Sequence, residues 1–112
     1  MHVVKVLNYR KLLRSVRTGN KHSVLTITAR ECPRSNNLLA RLDARRDLNV
    51  DVFDIVFEKN NPIGPLFEIR RVPTVILLEH GMPIVRISEM SDLDEFIETV
   101  KDIVTNDRNP FE

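Results

Sequence analysis

Only one of the 112 residues is a cysteine, Cys32. An internal disulfide is therefore excluded, as is any redox cycle that needs two thiols in one chain. Glycine is sparse too, with three residues that form no phosphate-cradling loop. The histidines His2, His22 and His80 are scattered, without the spacing of metal ligands, and His80 reads as an exposed turn residue. No apolar run approaches the roughly 20 residues needed to cross a bilayer. The first residues, Met1-His2-Val3-Val4-Lys5, lack the charged start, long apolar centre and small-residue cleavage site of a signal peptide. The expectation is a reducing, cytoplasmic setting with no membrane and no cofactor.

Acidic residues are missing from the first 30 positions, which hold Lys5, Arg10, Lys11, Arg14, Arg17, Lys21 and Arg30. From Ile87 onward the balance inverts: Glu89, Asp92, Asp94, Glu95, Glu98, Asp102, Asp107 and Glu112 face only Lys101 and Arg108. The net charge is +1, so this is an uneven distribution and not an excess. It either steers an anionic partner to one face or marks two solvated helix faces of opposite sign. The basic stretch offers only Tyr9 for stacking, so nucleic acid is not an expected partner. Hydrophobic residues at 42% and charged residues at 29% describe an ordinary globular chain. A single domain over residues 1–106 is expected, with a polar tail over 107–112.

Hydrophobic spacing sets the element order. His2–Leu7 reads as a short strand; Tyr9, Leu12, Leu13 and Val16 then line one face of a helix, with Gly19 suited to its cap. Val24–Ala29 is β-branched and apolar, as a central strand would be. A helix over Asn36–Leu48 follows, with Pro33 in its first turn. Val50–Phe57 is a strand interrupted by Asp51 and Asp54, and Ile63–Ile69 a short helix. Val72–Leu78 and Pro83–Ile87 are strands joined through a hairpin at Glu79-His80-Gly81-Met82. Leu93, Phe96, Ile97, Val100, Ile103 and Val104 mark the last helix, with Ser91 as its N-cap. The order β-α-β-α-β-α-β-β-α implies an α/β fold with parallel early strands and an antiparallel edge.

Cys32 falls where the Val24–Ala29 strand gives way to the second helix, and a helix N-terminus stabilises a thiolate. Arg30, Arg34 and the Ser35 hydroxyl would add to that effect, while Glu31 would oppose it.

The element order, with Cys32-Pro33-Arg34-Ser35 opening the second helix and Val72-Pro73-Thr74 opening the fourth strand, resembles the thioredoxin family from about Val3 to Val104. Asn61-Pro62 and the charged hairpin Glu79-His80-Gly81 are similar to family features as well. The resemblance implies a mixed central sheet of about five strands with helices on both faces. It implies a cis bond before Pro73, and a groove where the backbone of Val72 pairs with an extended substrate peptide. Cys32, Ser35 and Arg34 would form the thiol site; Val72, Pro73 and Thr74 would hold the peptide.

The departures are specific. The family's Cys-x-x-Cys has Ser35 at its second position, so dithiol turnover within this chain is excluded. The family's buried aspartate, six residues before the nucleophile, is Thr26 here. The usual tryptophans, four residues and one residue before it, are Thr28 and Glu31. Two function classes follow. In one, Cys32 exchanges disulfides as a monothiol, and an external thiol such as glutathione releases the product. In the other, the chain is a non-enzymatic interaction or assembly module, with a protein docking at the Cys32/Pro73 surface. Monothiol glutaredoxins give a third, minor resemblance through Cys32-x-x-Ser35 and Ser91-Asp92-Leu93. Their Gly-Gly pair is replaced by Ser88-Glu89 and their motif's Gly-Phe by Pro33-Arg34.

Overall fold

The structure, a computed structural model, describes residues 1–18 and 21–106, without the side chains of Arg17 and Thr18. The proposed Gly19 cap and the 107–112 tail lie outside the described residues. The chain runs β1 (His2–Lys5), α1 (Tyr9–Thr18), β2 (His22–Thr28), α2 (Pro33–Asp43), β3 (Asp51–Val56), α3 (Ile63–Leu66), β4 (Thr74–Glu79), β5 (Met82–Ile87) and α4 (Leu93–Asn106). The strands form one sheet in the order β1-β3-β2-β4-β5. β1 and β2 both pair parallel with β3, while β2–β4 and β4–β5 are antiparallel. The expected mixed five-stranded α/β architecture is what the chain adopts.

Alternation along the strands decides which helix covers which face. Val24, Val52, Val75 and Leu77 point to one side and bury Leu38 and Leu42 of α2 with Leu93, Phe96, Ile97 and Val100 of α4. Leu25, Ile27, Phe53, Ile55, Ile76 and Leu78 point to the other, against Leu12 of α1 and Ile63 of α3. The basic α1 and acidic α4 thus occupy opposite faces. β2 is buried along its whole length, its polar His22, Ser23, Thr26 and Thr28 included. Removing a fully buried leucine such as Leu38 leaves a cavity worth about 2–5 kcal/mol.

Several boundaries differ from the sequence expectation, each for a local reason. β1 stops at Lys5; Val6 makes one more bond, to the Asp54 carbonyl, and Leu7 is 79% exposed. α2 begins at Pro33, three residues early, and ends at Asp43. Leu48 mimics a helical repeat because it returns to the core from a turn, after Arg45 and Asp47 have paired across it. α3 is four residues long, and Glu68 turns the chain through a φ of 54°. Ser91 does not cap α4: it sits inside a 3₁₀ turn over Met90–Asp92 that leads into the helix. The β4–β5 hairpin closes through His80 and Gly81, with φ of 50° and 82°, the two positive values a two-residue turn of matching twist needs. Among the described residues no helix is long and apolar enough to cross a membrane.

Candidate functional site

Parallel pairing of β1, β3 and β2 brings their carboxyl ends to one end of the sheet, where ligands of open α/β sheets gather. β2 leaves that end into the loop Ala29–Glu31. Glu31 takes a left-handed φ of 51°, which turns the chain sharply into α2. Cys32 is the N-cap, in extended conformation, and its carbonyl accepts the Asn36 N–H at 3.0 Å. Its side chain makes no capping hydrogen bond. The thiol is half-buried and free.

Ser35 lies in the first turn of α2 with 1% of its surface exposed. Its Oγ accepts the Ala29 N–H at 3.0 Å, which ties the end of β2 to the start of the helix. The hydroxyl proton is left for the neighbouring sulfur. That hydroxyl, the main-chain N–H groups of Ser35 and Arg34 and the Arg34 charge hold the Cys32 thiol below its ordinary value, with partial burial working against them. Arg30, expected to help, turns away to Glu58 at 2.9 Å.

Antiparallel pairing of Ile27 with Thr74 carries the start of β4 to the same end. The Val72–Pro73 peptide bond before it is cis. Pro73 is buried and Val72 half-buried. Thr74 is 1% exposed, and its hydroxyl donates to the Arg71 carbonyl at 2.6 Å, so it shapes the turn from inside. Arg34, Arg71–Pro73 and Ser88–Ser91 line a cleft of about 590 Å³. The structure therefore brings Arg34, Val72 and Pro73 to one cleft; Cys32, two residues before Arg34, is not among its lining residues, and Thr74 is buried.

One buried group escaped the sequence reading. Asp54 on β3 sits opposite Thr26 in the parallel register and is 1% exposed. Its Oδ1 accepts the Thr26 and Thr28 hydroxyls, each at 2.8 Å, and its Oδ2 accepts Lys5 Nζ at 2.9 Å. A carboxylate is thus present behind the site, one strand away from position 26. An aspartate breaking an apolar strand was the signal. No buried side-chain nitrogen or oxygen among the described residues lacks a partner. Among those residues no cluster of three or more histidine, cysteine, aspartate and glutamate side chains is placed to hold a metal ion.

Comparison with solved structures settles the architecture. Spinach chloroplast thioredoxin f superposes with a TM-score of 0.77, at 20% identity over 90% of this chain and 85% of that one. The chain has a thioredoxin fold. A variant of the thioredoxin from Halobacterium salinarum matches with a TM-score of 0.73, at 17% identity over 90% of this chain and 89% of that one. A designed protein matches at 0.71 and 23% identity, over 92% and 91% of the two chains. No protein-family model and no curated protein sequence matches the chain. At these identities the likeness to thioredoxins is one of backbone, and the chemistry belongs to the side chains.

Proposed function

We propose that this thioredoxin-fold chain exchanges disulfides through a single thiol, Cys32, and completes no dithiol cycle by itself. The observation that carries the reading is Ser35: buried, anchored to Ala29 N–H, and favouring the thiolate of Cys32 from one helical turn away. A serine at that place supports a thiolate but cannot form an S–S bond. Cys32 thiolate would attack a substrate disulfide R–S–S–R′, forming Cys32–S–S–R and expelling R′–S⁻. An external thiolate, glutathione being the obvious candidate, would then attack the mixed disulfide at the Cys32 sulfur, releasing R–S⁻. A third thiolate, attacking the new mixed disulfide, would regenerate Cys32. The substrate would be a protein whose strand lies along Val72 and Pro73, main chain to main chain.

A second reading follows from Thr26, Thr28 and Glu31. With none of the family's flanking groups at these positions, the same surface would serve as a docking face without turnover. The pH dependence of Cys32 alkylation, combined with trapping of mixed disulfides, separates the two. The exchange reading requires a midpoint below the ordinary value of about 8.5 and a trapped adduct. An ordinary midpoint with nothing trapped would leave only the docking module.

A further inference from the structure

We propose that the cleft beside Cys32 selects extended peptides with acidic residues flanking the position that meets the thiol. The proposal deepens the reading of Cys32 and Val72–Pro73 as a peptide-engaging site and rests on it.

Charge on the cleft walls carries the inference. Arg34 is exposed, stands two positions after Cys32, and forms the ridge between two hollows. One is the 590 Å³ cleft; the other, of about 380 Å³, is bounded by Pro33, Asn37, Arg41 and Met90. Arg34 has no ion-pair partner among the described residues. In the first cleft Arg71 pairs with Glu89, and Arg41 of the second hollow pairs with Asp94 outside its lining. Glu89, the one carboxylate lining either hollow, is therefore already engaged, and the Arg34 charge is left over. Exposed pairs of this kind contribute little, so a peptide carboxylate competes for Arg71 at small cost. A guanidinium fork binds a carboxylate through two parallel hydrogen bonds, which gives direction as well as attraction.

The geometry matches a strand laid along Val72. In an extended strand the two residues flanking a central position share one face and stand about 7 Å apart along it, so carboxylates there would face one cleft together. Two such carboxylates would be taken by Arg34 and Arg71, which line the same cleft. The walls present Val72, Pro73, Pro33 and Met90 but no aromatic ring, so they offer no base-stacking platform and favour peptide over single-stranded nucleic acid.

Two peptides of equal length, with a central residue flanked by aspartates or by lysines, test the proposal. Each is made with a central serine for binding by fluorescence anisotropy. Each is also made with a cysteine activated as a thionitrobenzoate disulfide for exchange. At low ionic strength the acidic peptide should bind and react about tenfold better, converging toward parity as salt rises. The R34E/R71E double variant should invert the order, and R34Q alone should reduce the ratio about threefold; circular dichroism establishes that each is folded. Equal binding of the two serine peptides to the unaltered protein would overturn the proposal, as would a preference unchanged in the variants. Acid preference in the serine pair without exchange in the cysteine pair would uphold the docking and refute the thiol chemistry. Exchange without preference would do the reverse.

Discussion

Ser35 and Asp54 are buried to the same degree, yet they differ in what remains of their hydrogen-bonding capacity. Asp54 is a closed joint. Two threonine hydroxyls from β2 and an ammonium from β1 converge on its carboxylate, stitching three adjacent strands through one side chain. Ser35 is an open one. It accepts a single main-chain N–H and keeps a proton for the half-buried sulfur beside it. Equal burial therefore does not mean equal role: the fully satisfied group holds the sheet, and the partly satisfied group tunes a thiol. The missing aspartate at position 26 looks, in one dimension, like the loss of a catalytic carboxylate. In three dimensions the sheet keeps a buried carboxylate, committed to structure.

The largest effect should come from Asp54→Ala, which strands two buried hydroxyls and removes the charge opposite Lys5. A loss of about 2–4 kcal/mol in urea unfolding is expected, while the alkylation midpoint of Cys32 in the folded protein stays near its starting value. A shift in that midpoint as large as the one caused by changing Ser35 would break the comparison. Ser35→Ala should show the converse pattern. It leaves the Ala29 N–H without its acceptor, for about 1–2 kcal/mol, and moves the Cys32 midpoint up toward the ordinary thiol range.

Lys5→Ala sharpens the contrast from outside the joint. The Lys5 side chain is 65% exposed, so its loss should lower stability by only about 0.5–1 kcal/mol, with the midpoint of Cys32 unmoved. The smallest effect belongs to a surface pair remote from both groups. Asp47 is held at about 2 by its hydrogen bond to Arg45, against about 3.9 for an unfolded aspartate. A depressed carboxyl pKa stabilises the folded state above the unfolded value and loses that effect as pH falls through the folded one. Between about pH 4 and 2 the parent protein should thus lose slightly more stability than Arg45→Ala, and equal slopes in acid-dependent denaturation would refute the assignment.

Much of this was legible along the chain. The β-branched and apolar runs of β2 and β4 and the helical spacing of Leu93, Phe96, Ile97 and Val100 announced the sheet and its covering helix. The turn at His80-Gly81 announced the hairpin. The less legible features were those in which local pattern competes with packing. Leu48 extended the apparent helix because an apolar residue returning from a turn has the same spacing as one on a helical face. Ser91 had the chemistry of an N-cap, but a 3₁₀ turn intervenes. Arg30 and Arg34 were equivalent in sequence, and only Glu58 on the next strand's exit distinguishes them.

The sequence by itself determined that these 112 residues hold one thiol, that it lies at a strand–helix junction, and that no second thiol among them can resolve it. These are matters of covalent inventory and of local periodicity, which short-range sterics and hydrogen bonding express directly. Tertiary structure alone decided that Asp54 faces Thr26 and Thr28, because strand register brings together residues 26 to 28 positions apart. It also decided that Arg34 and Arg71 line one cleft, because a cleft forms from surfaces that meet only after the sheet is assembled. The difference is one of range: local geometry repeats along the chain, whereas electrostatic partners are chosen by how distant segments pack.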